Sequence, residues 1–155
     1  MKYGAKKINY GEGARFFVPL QDGGFARGIV ARLDGRGQIF AYFFGPRLSH
    51  PADSFDDLRA QDAILSGLCG DLGLLRGVWP RAGEPEAWER RDWPLPALYR
   101  EDESQRQAWL SRYDENSLSF ICETPVEFRA KQFVDYPYDR LMGYKAVEIR
   151  LSKLL

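Results

Sequence analysis

At 155 residues, with 45% hydrophobic and 14% aromatic side chains, the chain is too apolar to be disordered and fits one domain, 1–155, with one core. Its 22 basic residues balance 22 acidic ones, and a formal charge of zero argues against nucleic acid as the main partner. No apolar run approaches the roughly 20 residues that cross a bilayer. No apolar signal core follows the basic start Met1–Lys7, so the expectation is a cytoplasmic protein with no membrane partner.

The first third reads as β-structure. Phe16, Val18 and Leu20 fall on one face of a strand, with Arg15, Phe17 and Pro19 on the other. Pro19 cannot donate to a ladder, which predicts an edge strand or a bulge. Gln21-Asp22-Gly23-Gly24 is a hairpin turn, and Phe25–Leu33 returns as a second strand. Gly28 inside that strand marks a sharp bend or a close approach of packed groups. After the turn Asp34-Gly35-Arg36-Gly37, a third strand runs from Gln38 to Phe44, and Gly45-Pro46 ends it. Ile39, Ala41 and Phe43 alternate with Phe40, Tyr42 and Phe44, so both faces are apolar and the strand is central.

Ser54 is a candidate N-cap, with Asp56 and Asp57 in the first turn of a short helix to about Ala60, which Asp62–Leu68 continues or follows with a second turn. Gly70–Gly77, with Leu72, Leu74 and Leu75, reads as a further strand. Residues 77–100 carry Pro80, Pro85, Pro94 and Pro96, which exclude long regular elements. Trp109–Tyr113 and Leu118–Cys122 read as two strands joined by the turn Asp114-Glu115-Asn116-Ser117. Pro125–Val134 fits a short helix or an extended segment. The C-terminal run fits both periods, and its length of about twelve residues after Gly143 favours helix. The expected fold class is α+β: a strongly curved antiparallel sheet or small barrel with short helices and a Trp/Pro-rich irregular segment.

The chemistry is sparse. The lone His50 precedes Pro51 in a loop and has no ligand-spaced neighbours, so it reads as an exposed loop residue. Cys69 and Cys122 form no metal or redox spacing and read as buried small apolar side chains. Most carboxylates sit beside turns and expected helix starts, where solvation and capping account for them. The glycines form no phosphate loop. No catalytic residue, metal site or cofactor is implied, and the chain does not read as an enzyme.

The aromatic content of the irregular segment is the exception. Trp79 adjoins an apolar stretch and reads as core. Trp88 and Trp93 stand among Glu84, Glu86, Glu89, Arg90, Arg91 and Asp92. They fit either a cover over the open side of a sheet or aromatic anchors inside a charged rim. On the second reading the candidate partner-binding residues are Glu84, Glu86, Trp88, Glu89, Arg91 and Trp93, with the acidic turn residues Asp114 and Glu115 as a second surface.

The pattern Gly13-x-x-Phe16-x-Val18-Pro19-Leu20-x-Asp22-Gly23-x-Phe25-Ala26-x-Gly28-x-Val30 resembles the opening of the Immunity protein 26 family. Ser54-Phe55-Asp56-Asp57-Leu58 resembles that family's short acidic-leucine helix, and Gly77-Val78-Trp79-Pro80-Arg81-Ala82-Gly83 resembles its Trp-Pro segment. Glu148-x-Arg150-Leu151 resembles its closing Arg-Leu. The resemblance covers roughly residues 8–100; residues 101–140 and the linker 45–53 depart from it, and these are candidates for partner specificity. It implies an antidote to a bacterial polymorphic toxin, acting by direct contact with a cognate toxin domain, and it transfers no binding residue. The competing reading from the residues alone is a small β-barrel module binding nucleic acid or peptide, with Phe40, Tyr42 and Phe44 as its stacking platform.

Overall fold

The computed structural model describes residues 9–51, 55–83, 85 and 87–155. In chain order its elements are β1 (Arg15–Pro19), β2 (Phe25–Leu33), β3 (Gln38–Leu48), β4 (Leu65–Gly70), α1 (Leu72–Leu75), β5 (Leu98–Asp102), β6 (Gln107–Tyr113), β7 (Phe120–Val126), β8 (Leu141–Met142) and α2 (Tyr144–Leu154). Three short 3-10 turns lie at Ala60–Asp62, Arg90–Asp92 and Lys131–Phe133.

The strands form two sheets, one of five strands in the order β1-β2-β3-β4-β8 and one of three in the order β5-β6-β7. Every pairing is antiparallel except that of β8 with β4. Neither sheet is closed, so the small barrel is not formed. β1 is an edge strand, as Pro19 requires, and β3 is interior, as its two apolar faces require. The β1–β2 turn places Gly23 and Gly24 at φ of 104° and 81°, which glycine adopts without strain.

The five-stranded sheet separates two cores, where one was expected. On one face Phe16, Val18, Ile39, Ala41 and Phe43 pack with Leu74 of α1, Trp79, and Val147 and Leu151 of α2. On the other, Phe17, Ile29, Phe40, Tyr42 and Phe44 pack with Phe55, Leu98 and Leu118, and Trp88, Trp93 and Leu95 cover them. The period-two alternation of β3 thus feeds both cores at once. Trp79 is fully buried, as expected from its apolar neighbours.

Several local expectations give way. Ser54 lies outside the described residues. No α-helix follows it: Phe55 is buried against Phe17 and leads into a turn, and regular structure resumes only in the 3-10 turn at Ala60. Asp62–Leu68 is not helical over its second half, because the long strand β3 recruits Leu65–Gly70 as a partner, with Leu68 on one core and Cys69 on the other. The expected strand at Gly70–Gly77 is replaced by the single helical turn α1. There Gly73 presents bare backbone to the Trp79 ring, and a Cβ would stand 2.6 Å from that ring.

Gly45-Pro46 does not end β3, which continues to Leu48 and pairs it with Phe25 across a register shift. The irregular stretch stops earlier than expected, at the start of β5. The last hairpin is longer and shifted toward the C-terminus, with β7 at Phe120–Val126. The C-terminal segment is helix, as its length predicts. Cys69 is buried as expected, whereas Cys122 is exposed, because β7 is the outer strand of the three-stranded sheet and faces solvent along most of its length. His50 is exposed.

Candidate functional site

The two sequence-predicted surfaces meet in space, and a buried arginine joins them. β2 is apolar apart from Arg27 and Arg32. A register shift between Val30 and Arg32 leaves Ala31 as the extra residue and puts Arg32 opposite Phe40, on the face of the second core. Without that bulge, alternation would aim the guanidinium into the first core.

The Arg32 side chain is 2% exposed. Its Nη1 donates to Trp93 O at 2.9 Å and to Ala31 O at 2.6 Å. Its Nη2 donates to Glu115 Oε1 at 3.0 Å, an ion pair whose acidic side chain is 53% exposed. Arg90 repeats the link from outside, donating to Glu115 O at 2.8 Å and Asn116 Oδ1 at 3.0 Å. Arg90 Nε also stands 2.9 Å from Glu12 Oε1, as a charge contact outside hydrogen-bond alignment. Trp88 Nε1 donates to the same Glu12 oxygen at 3.2 Å. The segment 88–93 and the turn 114–116 are therefore one surface, stapled through Glu12, Arg32 and Arg90.

Packed rings support it. Trp88 stacks on Trp93 at 5.9 Å and 14°, and Trp93 meets Tyr42 and Phe44 edge-on at 5.4 and 6.0 Å. The Trp88 ring also closes over Gly13, where a Cβ would lie 2.9 Å away. Both tryptophans are half-buried, so they act as a lid over the second core as well as the floor of the surface. The exposed charges above them are Glu89, Arg91, Asp92 and Glu115.

The individual residues divide as follows. Glu84 and Glu86 lie outside the described residues. Glu89 and Arg91 face solvent, 3.9 Å apart. Asp114 builds the turn: its Oδ1 accepts from the backbone N–H groups of Asn116 and Ser117 and from the Ser117 hydroxyl. Those bonds hold its carboxyl below the usual carboxylate range. Sequence reading missed Glu12, Arg32 and Arg90 as connectors. The available signal was a charge inside an otherwise apolar strand, since a buried arginine needs partners.

Phe40, Tyr42 and Phe44 are buried, which removes the stacking-platform reading. Tyr42 donates its hydroxyl proton to Pro94 O, and burial lifts its pKa to about 12 despite the opposing pull of Arg32. Burial likewise raises Tyr10 and Tyr113, which donate to Asp71 and Asp139. An unfolded tyrosine ionises near 10. A folded pKa above the unfolded one gives stability that is complete below about pH 10 and drains away as pH rises through the folded value. We expect the tyrosinate absorbance at 295 nm contributed by Tyr10, Tyr42 and Tyr113 to rise only together with loss of circular dichroism. Tyr10, Tyr42 and Tyr113 titrating near pH 10 with the fold intact would contradict these raised values.

A stiff charged surface over packed aromatic rings has the build of a protein recognition surface. Among the described residues, no group of three or more His, Cys, Asp or Glu side chains is placed to hold a metal ion. Nor is any helix of the described residues long and apolar enough to cross a membrane. The family model of Immunity protein 26 matches residues 11–110, well over half the chain. The chain belongs to the Immunity protein 26 family. No curated protein and no solved structure matches it.

Proposed function

We propose that this protein is the antidote to a cognate bacterial toxin domain, which it neutralises by direct protein–protein contact inside the producing cell. Membership of the Immunity protein 26 family carries the reading. The chemistry asked of such a protein is modest: a stable scaffold and a surface complementary in charge and shape to one partner, with no cofactor.

The surface we assign to the toxin is the stapled one. Glu89, Arg91 and Glu115 supply its exposed charges, Trp88 and Trp93 its aromatic floor, and Asp114 fixes the turn that presents Glu115. Glu84 and Glu86 extend the same segment and belong to the proposal. Preorganisation is the physical argument: ordering a long flexible loop on binding costs affinity, and the Arg32 and Arg90 links have already ordered this one.

The test is co-expression with a candidate toxin domain taken from a neighbouring gene, read as a purified complex and as rescued growth. Both are expected. Their joint absence would overturn the assignment. With a complex in hand, Glu89→Lys combined with Arg91→Glu should weaken binding about tenfold, mainly through the association rate and its salt dependence.

A further inference from the structure

A second opening lies at the far end of the segment that carries Trp93. It is a cleft of about 930 Å³ between β4 and the stretch 132–140, and Tyr42 and Pro96 form part of its wall. Tyr42 is also the ring that Trp93 meets, so the cleft continues the proposed toxin surface. Its outer wall, from Gln132 to Arg150, lies beyond the family-matched residues 11–110, while its inner wall at β4 lies within them.

The β4 wall has an open backbone edge. In an antiparallel ladder, alternate residues aim their N–H and C=O groups at the partner strand and away from it. Asp71 N–H bonds Gly37 O, and continuing that alternation aims Leu65, Gly67 and Cys69 at β3. Leu68 and Ser66 then aim outward. β8 pairs with β4 only through Leu68 and Cys69, because the preceding stretch turns away so that Tyr138 bridges to Tyr99 of β5. Among the described residues nothing takes up the outward backbone groups of Ser66, which lines the cleft.

The opposite wall supplies side-chain chemistry. Tyr136 and Tyr138 are exposed there, and tyrosine is enriched where binding energy concentrates. Arg140 and Arg150 line the cleft without an ion pair to any described residue, and among the described residues Asp135 is the only carboxylate of the wall.

We infer that the cleft takes an extended segment of the toxin that adds a strand to β4 at Ser66 and sets a carboxylate against Arg140 and Arg150. An unpaired strand edge recognises any extended backbone, and the flanking cations and phenols select the sequence. This inference rests on the toxin-binding reading and deepens it. It assigns the side-chain part of partner choice to Arg140 and Arg150, beyond the family-matched residues 11–110.

The test is amide hydrogen exchange on the free protein and on its complex with the toxin domain, beside binding by Arg140→Glu/Arg150→Glu. We expect the Ser66 amide to exchange at least tenfold more slowly in the complex, and the double reversal to weaken binding at least tenfold with an unchanged melting temperature. A complex in which Ser66 exchanges as in the free protein, or one indifferent to the reversal, would overturn the strand-addition inference and leave the toxin-binding reading standing. Failure of any complex to form would overturn both.

Discussion

Trp79→Ala is expected to cost about 3–5 kcal/mol of folding stability, the range for emptying a fully packed aromatic site. The ring is fully buried, stacked on Phe16 at 5.3 Å and 1°, with Phe43 and Tyr144 against it edge-on. Its indole N–H donates to Glu148 Oε2 at 3.1 Å, so the substitution also strips a largely buried carboxylate of a donor. Collapse cannot refill the space easily, because sheet and helix close it from both sides. Urea denaturation should show a lower midpoint with an unchanged slope. Trp93→Ala should cost less, since that ring is only half-buried. A Trp79 loss below about 1.5 kcal/mol, or one smaller than that of Trp93, would contradict the assignment of keystone and lid.

Gly28→Ala is the second substitution with a large expected effect, although it adds a single carbon. A Cβ at Gly28 would fall 2.3 Å from Phe16 Cζ and 2.4 Å from Cε2. Phe16 cannot withdraw, being fixed between Trp79 and Phe43. Overpacking of this kind costs about 1–3 kcal/mol, and the rigidity of the ring stack places this site at the upper end. The mechanism has a signature. Phe16→Leu alone destabilises, yet Gly28→Ala/Phe16→Leu should be more stable than the sum of the two losses predicts, by about 1 kcal/mol or more. Strict additivity in thermal or urea melts would mean that the clash is not what keeps glycine at this position.

The sequence announced the parts of the fold whose signals are local. Phe16 and Val18 against Phe17, and Ile39 through Phe44, alternate over enough residues for faces to be assigned without ambiguity. Pro19 and Gly28 are legible for the same reason: each removes one group, a donor or a side chain, and so permits few environments. Leu65–Gly70 was harder to read. Six residues with a glycine at each third position carry too little periodicity, and only pairing with β3 decides their state. The leucines of α1 misled because a run of apolar residues suits a strand as well as a buried turn.

The candidate site was half legible. Its aromatic floor and exposed charges stood out in composition, while its staple did not. Arg32 and Glu115 are separated by 83 positions, and no local pattern connects them. Even so, Arg32 inside an apolar strand was a question the sequence had already posed, because a buried guanidinium implies acceptors brought from elsewhere.

The placement of α2 has a consequence for how the protein is made. Strands β1 to β3 form from neighbouring hairpins and can pair early, since their contacts are close in the chain. The helix that covers Phe16, Val18, Ile39 and Phe43 on one face is synthesised last among the elements, about 100 residues after β3. At translation rates of about 5–20 residues per second, that face waits roughly 5–20 s for Val147 and Leu151. The growing chain therefore passes through a stage with a paired but half-naked sheet, and in that interval it depends on whatever in the cell shields apolar surface from other chains.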